Sequence, residues 1–207
     1  MADDHVRATP ARRGTGRGSA RARLMAAAAA RFYSQGVTAT GIDVITADAG
    51  VAKMSLYNNF SSKADLVAAY LEQRQQEFLA MHRRRVEALP AGAGPGARAL
   101  AVFDAYLEHA ERTEGFRGCG LLNVAGELST GDPNREAVAR HKAEVERLLR
   151  DALAPREDDP APPPDVDGLA EHLSLLLEGA MVRAGLEGDL DRLRRARRLA
   201  AALVDGS

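Results

Sequence analysis

An all-α fold is the class this sequence predicts, and three observations predict it. Ala, Leu, Arg and Glu dominate the 207 residues, while aromatics make up 4% and Trp is absent, a vocabulary of helices rather than of β-branched, aromatic strands. Apolar residues recur at spacings of three and four, the period of one face of an α-helix. Capping boxes and Gly/Pro breaks then divide the pattern into nine helical stretches. With 45% apolar residues, a chain of this length can bury the core of one sizeable domain or of a small module packed on a larger one.

Residues 1–19, rich in Arg, Gly, Ala and Thr and without apolar periodicity, read as a flexible basic arm. A first helix begins near Ala20, where Leu24, Ala28 and Phe32 fall at i, i+4 and i+8, and Gly36 serves as its C-terminal cap. Thr40-Gly41-Ile42-Asp43 fits a capping box, with the Thr40 hydroxyl taking the Asp43 amide and the Asp43 carboxylate reaching back. A second helix follows over about 41–48, with Ile42, Ile45 and Ala49 on one face. Gly50 supplies a positive φ for a sharp turn, Val51 plugs inward, and a short third helix over about 52–58 buries Leu56. Two short helices joined by a glycine turn form a helix-turn-helix, and the unit spans 20–66.

Ser62-Lys63-Ala64-Asp65 is a second capping box. It opens a long fourth helix, from about 62 to 86, that connects the small unit to the remainder, 67–207. Leu-Pro-Ala-Gly-Ala-Gly-Pro-Gly over 89–96 ends it. Further helices are expected over about 97–112, 121–129, 134–154, 167–187 and 189–204. A loop at 115–120, the Gly131-Asp132-Pro133 turn and a mobile, proline-rich linker at 155–166 separate them.

The net charge of −1 hides an asymmetry. Residues 1–63 hold nine Lys/Arg against four Asp/Glu, a net of +5, and the remainder carries −6. A basic head on an acidic body lets one end alone approach a polyanion; a basic tail beside an unrelated acidic domain reads equally well from charge alone. No apolar segment reaches the length of a membrane span, so no membrane partner is expected. The apolar run 24–30 is too short for a signal peptide and passes into an amphipathic pattern. The single Cys119 cannot form an intramolecular disulfide, and a reducing cytoplasm is the simplest compartment.

The segment from Thr38 to Asp65 carries the functional signal. A helix of about two turns fits the major groove of B-DNA, and its N-terminal amides favour phosphate. Lys53 sits in its first turn. Met54, Ser55, Tyr57 and Asn58 occupy sides not claimed by Val51 and Leu56, so Ser55 and Asn58 can exchange hydrogen bonds with bases and Met54 can meet a thymine methyl. Tyr57 and Lys63 suit backbone contacts. The same helices also read as two turns of an ordinary bundle.

The runs Gly36-Val37-Thr38-Ala39-Thr40, Ile45-Thr46-Ala47-Asp48-Ala49-Gly50-Val51-Ala52-Lys53-Met54-Ser55-Leu56-Tyr57-Asn58-Asn59-Phe60 and Ser62-Lys63-Ala64-Asp65-Leu66 resemble the N-terminal signature of the TetR family of repressors. The likeness covers about 21–71. It implies a nine-helix, TetR-like architecture: a three-helix helix-turn-helix domain followed by a helical ligand-binding and dimerisation domain. It further implies a regulator, of repressor type, that binds a palindromic duplex operator as a homodimer and is released by a small effector. On that likeness Thr38, Thr40, Lys53, Tyr57, Asn58 and Lys63 are the DNA-contacting candidates. Arg12, Arg13, Arg17 and Arg21 could reach a minor groove from the arm, or serve only to solubilise it. Two positions depart from the family pattern. Ala52 replaces the usual Ser or Thr cap, at a cost of ~1 kcal/mol, and Thr46 replaces a usual Ala where the second and third helices cross.

The last two helices carry wide apolar stripes, Leu169, Leu173, Leu176, Leu177, Ala180, Met181 and Ala184 on one and Leu190, Leu193, Ala196, Ala200, Leu203 and Val204 on the other. Such stripes can serve a core or, as the resemblance implies, a homodimer interface over 167–204. The stretch 116–127 is similar to a segment of several TetR-like regulators. A cavity lined by Phe103, Tyr106, Leu107, Phe116, Cys119, Asn123, Glu127 and Met181 would suit a small, mostly apolar effector, although each residue also reads as core. Cys119 has only Arg117 beside it to favour a redox role.

No catalytic constellation is visible. The five histidines are scattered without metal-ligand spacing, and no phosphate loop or nucleophile elbow appears. Neither an enzyme nor a cofactor is expected.

Overall fold

The protein, described here by a computed structural model, is placed over residues 16–156 and 165–206, with side chains from Ala20 onward. These residues form α1 (Gly16–Gln35), α2 (Ile42–Asp48), α3 (Lys53–Tyr57), α4 (Lys63–Glu87), α5 (Pro95–Glu111), α6 (Gly120–Glu127), α7 (Pro133–Leu153), α8 (Val166–Glu187) and α9 (Asp191–Asp205). The last residues of the expected arm, 16–19, are thus helical. Once a helix is nucleated, each added residue gains a hydrogen bond for its own entropy alone, and no proline opposes extension there. The rest of the arm, with Arg12 and Arg13, lies outside the described residues, as does most of the expected linker at 155–166.

Caps explain where the elements begin. The Ser62 hydroxyl accepts from the Asp65 amide at 3.0 Å, and the Asp65 carboxylate takes the Ser61 hydroxyl. The box expected at Thr40 does not form. Gly41 is the N-cap of α2 and makes no side-chain cap bond, while the Thr40 hydroxyl donates to the Gly36 carbonyl at 2.6 Å. That carbonyl belongs to the residue that follows α1, and as a local acceptor four residues back in the chain it wins the competition for the hydroxyl. Gly36 and Gly50 take φ of +91° and +60°, conformations that β-carbons disfavour.

Two apolar clusters organise the described residues. One joins Leu24 and Phe32 of α1, Ile45 of α2 and Leu56 of α3 to Tyr70 and Leu71 of α4, and it also takes in Leu121 and Val124 of α6. The boundary expected between residues 66 and 67 therefore falls inside a continuous packed region, and α4 and α6 belong as much to the head as to the body. The second cluster packs α5, α7, α8 and α9 around Val102, Phe103, Leu149, Leu173, Leu177 and Leu193. Arg98, 3% exposed, ties its edges by donating to the carbonyls of Ala93, Ala152 and Ala154 at 2.9 to 3.0 Å. No helix among the described residues is long and apolar enough to cross a membrane.

Candidate nucleic-acid interface

Ala52 offers the five-residue α3 no side-chain cap at its start, and the helix is held in position from outside. Three arginines of α1 do this. The Arg21 guanidinium lies 4.3 Å from the Phe60 ring centroid and donates to the Asn59 carbonyl at 3.2 Å, so it is engaged at the end of α3 rather than free to reach a groove with the arm. Arg23 donates to the Gly50 carbonyl at 3.4 Å. Arg31 grips Asp48 through two bonds, at 2.5 and 3.1 Å, and these hold the Asp48 carboxyl below its ordinary range. The glycine turn and both flanking helices are thereby fixed on α1.

With Leu56 sealed inside at 0% exposure, α3 turns Met54 outward at 69% and Tyr57 at 48%. Lys53 and Asn58 are exposed beside them and Ser55 is half-buried. By spacing, Lys53, Met54, Tyr57 and Asn58 share one side of the helix. Lys53 pairs with Asp43 at 2.8 Å, an exposed ion pair of the kind worth at most ~1 kcal/mol and therefore easily exchanged for a phosphate. Thr38 is exposed at the α1–α2 turn, and Lys63 is half-buried at the start of α4. Thr40 is not part of this surface. At 1% exposure, with its hydroxyl on Gly36, its side chain cannot reach a ligand outside the fold.

Besides the continuous α4, the segment 117–127 ties this surface to the body. The Glu127 carboxylate at the end of α6 accepts from the Val37 amide at 3.1 Å and the Thr38 amide at 2.6 Å. Burial opposes its charge, yet these bonds and the nearby Lys63 hold the carboxyl below its ordinary range. The Arg117 amide donates to Tyr33 Oη at 2.6 Å, and Tyr33 Oη donates to the Gly118 carbonyl at 3.1 Å. The Arg117 guanidinium reaches the carbonyls of Tyr33 at 2.9 Å and Ser34 at 2.5 Å. Residues 117–127 thus clasp the end of α1.

The same segment walls a cavity of about 30 Å³ among α4, α5, α7 and α8, room for a water molecule or a very small ligand. Of the eight residues expected to line a pocket, Tyr106, Cys119 and Met181 border it. The others do not. Phe103 is buried in the body core, and Leu107 and Phe116 pack against that core. Asn123 donates to the Arg117 carbonyl at 3.3 Å and faces an outer groove, and Glu127 is committed to α1. Gln75 and Phe78 of α4 and Lys142 and Val145 of α7 also line the cavity, with Arg74, His109 and His141 beside them. A signal for them exists in the sequence: Leu71, Gln75 and Phe78, and Val138, Lys142, Val145 and Leu149, keep the spacing of inward stripes, in which Gln75 and Lys142 are the polar interruptions.

Lys142 organises the cavity. Its ammonium lies 2.8 Å from Glu178 Oε1 and donates to Tyr106 Oη and Cys119 Sγ, each at 3.3 Å. Burial works against that charge, but Cys119, Tyr106 and Glu178 outweigh it and raise the lysine well above its ordinary value. The expectation that Arg117 is the cation beside Cys119 is corrected: the chain folds Lys142 onto it from 23 residues away. His109, on the same wall, touches Arg74 Nη2 through Nε2. Burial, then Arg74 and Lys142, push its pKa down to about 4.

Comparison with known proteins agrees with this arrangement at both ends of the chain. Residues 24–70 match the family model of bacterial regulatory proteins, tetR family, and residues 95–200 match that of the tetracyclin repressor-like C-terminal domain. The transcriptional regulator AcuR of Cereibacter sphaeroides is 31% identical over 187 residues, covering 85% of this chain and 83% of the relative. The HTH-type transcriptional repressor ComR of Escherichia coli is 28% identical over 167 residues, 78% of each chain. Among solved structures, a TetR-family transcriptional regulator from Streptomyces coelicolor superposes with a TM-score of 0.75 at 32% identity, over 91% of this chain and 94% of that one.

Proposed function

The chain belongs to the TetR family of transcriptional regulators, and from that premise we propose that it is a repressor that grips a palindromic operator as a homodimer and lets go when a small molecule enters its body. It is a DNA-binding regulator and not an enzyme. The observation that carries the operator reading is the outward face of α3, which keeps Met54 at 69% and Tyr57 at 48% exposure in water on a helix short enough to enter a major groove. Lys53 and Lys63 flank that face as phosphate partners, with Thr38, Ser55 and Asn58 as polar contacts. Duplex DNA as the partner puts the work in the cytoplasm.

A two-fold operator requires two heads ~34 Å apart, hence a dimer. The stripes expected to make it, among them Leu169, Leu173, Leu177 and Ala184, are consumed inside the subunit. Support comes instead from large apolar side chains left in water on the same two helices: Leu175 at 64%, Val182 at 48% and Leu186 at 78% on α8, with Leu199 at 46% on α9. By spacing Leu175, Val182 and Leu186 share one side of α8, and large apolar side chains gathered on one exposed face favour an interface. For control, the 117–127 segment touches both the cavity and the end of α1, so a ligand that needs more than 30 Å³ shifts the population of head positions by moving that segment.

The test is retardation of duplex fragments flanking the protein's own gene, followed by titration with two variants. Tyr57→Ala and Lys63→Ala are each expected to weaken binding about ten-fold while leaving the dimer intact in light scattering. Unaltered affinity in both variants would discredit the α3 face.

A further inference from the structure

We propose that the enclosed cavity of the body is a binding site for a small planar oxyanion, of the size of formate or nitrate, held by Tyr70, Arg74 and His109; its bearing on DNA rests on the regulator reading above. The sign of the charge comes from the wall. Arg74 and Lys142 line the cavity and, among the described residues, no carboxylate does. Their acidic partners stand outside the lining: Glu77 meets Arg74 Nη1 at 3.0 Å and Glu178 meets Lys142 Nζ at 2.8 Å. Lys142 spends its three hydrogens on Glu178, Tyr106 and Cys119, whereas Arg74 keeps one in reserve.

Three buried donors lie together without acceptors among the described residues. Tyr70 is 1% exposed and its hydroxyl has no partner. That hydroxyl lies beside Gly120 on the cavity wall, where a β-carbon would stand 2.7 Å from it. One turn along α4, Arg74 directs its two Nη atoms to Glu77, His109 and Thr113 and leaves Nε unpaired. A guanidinium only donates, so His109 Nε2 accepts from it and the ring proton sits on Nδ1, which is also without a partner. Buried donors without acceptors are costly and rare. One ligand that only accepts answers all three, and a negative charge on it is balanced by Arg74 in charge-assisted bonds.

Size rules out a tail. About 30 Å³ is the room of about two or three water molecules at ~10–15 Å³ each, which an ion of about three or four non-hydrogen atoms fills. Phe78, Val145 and Met181 give the rest of the wall an apolar surface, so the ion's bonds form away from water, where they are strongest. An ion that fits bridges α4 to α5 and leaves the 117–127 segment on α1. It braces the arrangement that a larger effector has to open.

Sodium formate, sodium nitrate and sodium hydrogen carbonate are the probes, each compared with sodium chloride at equal ionic strength, and benzoate is the carboxylate too large for the space. Calorimetry on the full-length protein should find one ion per chain, and a hundred-fold excess over the dissociation constant should raise Tm by about 5 °C or more. Tighter binding of formate assigns the site to a carboxylate, and tighter binding of nitrate or hydrogen carbonate to an inorganic ion. Tyr70→Phe removes only an unpartnered hydroxyl, so it should unfold no earlier than the parent protein in chloride yet bind the ion about ten-fold more weakly. Operator-bound protein should keep its duplex at saturating formate. No stabilisation beyond that of chloride, benzoate bound as tightly as formate, or undiminished affinity in Tyr70→Phe overturns the site, and loss of the duplex overturns the bracing. Protein that binds no DNA in any of these salts would instead sink the regulator reading, and calorimetry would still decide the oxyanion site.

Discussion

His109 shows how a single residue records its surroundings. Its ring touches Arg74 and lies near Lys142, and its pKa is pushed from 6.5 to about 4. The folded protein therefore refuses a proton that the unfolded chain accepts, so the stability due to neutral His109 is full above pH 6.5 and drains away as pH falls toward 4. Urea unfolding at pH 7.5 and pH 4.5 should show a loss on the order of 2 kcal/mol that His109→Gln reduces. His82 and His141, both lowered by burial, act in the same direction, so the slope shrinks rather than vanishes. An identical loss in protein and variant would mean that His109 is not neutral in the fold. At this scale the sequence was only half legible. Lys142 and Gln75 passed unremarked among the apolar residues of their helices, and nothing in their neighbours pointed to Cys119 or Tyr106, because those meetings depend on how α4, α5 and α7 cross.

At the scale of elements, α6 matters out of proportion to its eight residues. It contributes Leu121 and Val124 to the head cluster, borders the cavity at Gly120, and ends in Glu127, the acceptor for two amides of the α1–α2 turn. Glu127→Ala should leave those amides without an acceptor and cost about 2 kcal/mol. Hydrogen exchange at Val37 and Thr38 should accelerate in the variant, and unchanged protection would mean the carboxylate does not hold the turn. All nine helices of the described residues could be read from periodicity and breakers, since local spacing dictates which face is buried. Their ends drifted where two local options competed: Thr40 had a choice between the Asp43 amide and the Gly36 carbonyl, and only the folded α1 decides it. The Glu127 clasp spans about ninety residues, beyond the reach of any local pattern.

For the molecule as a whole, the two ends differ in charge and in what they leave exposed. The first 63 residues carry +5 and the rest −6, which orients the head toward a polyanion and keeps the body away from it. The body instead exposes apolar side chains on α8 and α9, the face on which a second copy would bring another α3 into register. The family was legible from residues 21–71, while the body's interface was not, because the residues that pack within a subunit and those that would pack between subunits share the same helices and the same chemistry. The most direct measurement is the affinity of the dimer for a duplex from its own locus, followed by fluorescence anisotropy over a range of salt concentrations. Two heads that each neutralise several phosphates predict a log–log slope steeper than about −4; a flat response would contradict a protein that meets DNA through Lys53, Lys63 and the outer face of α3.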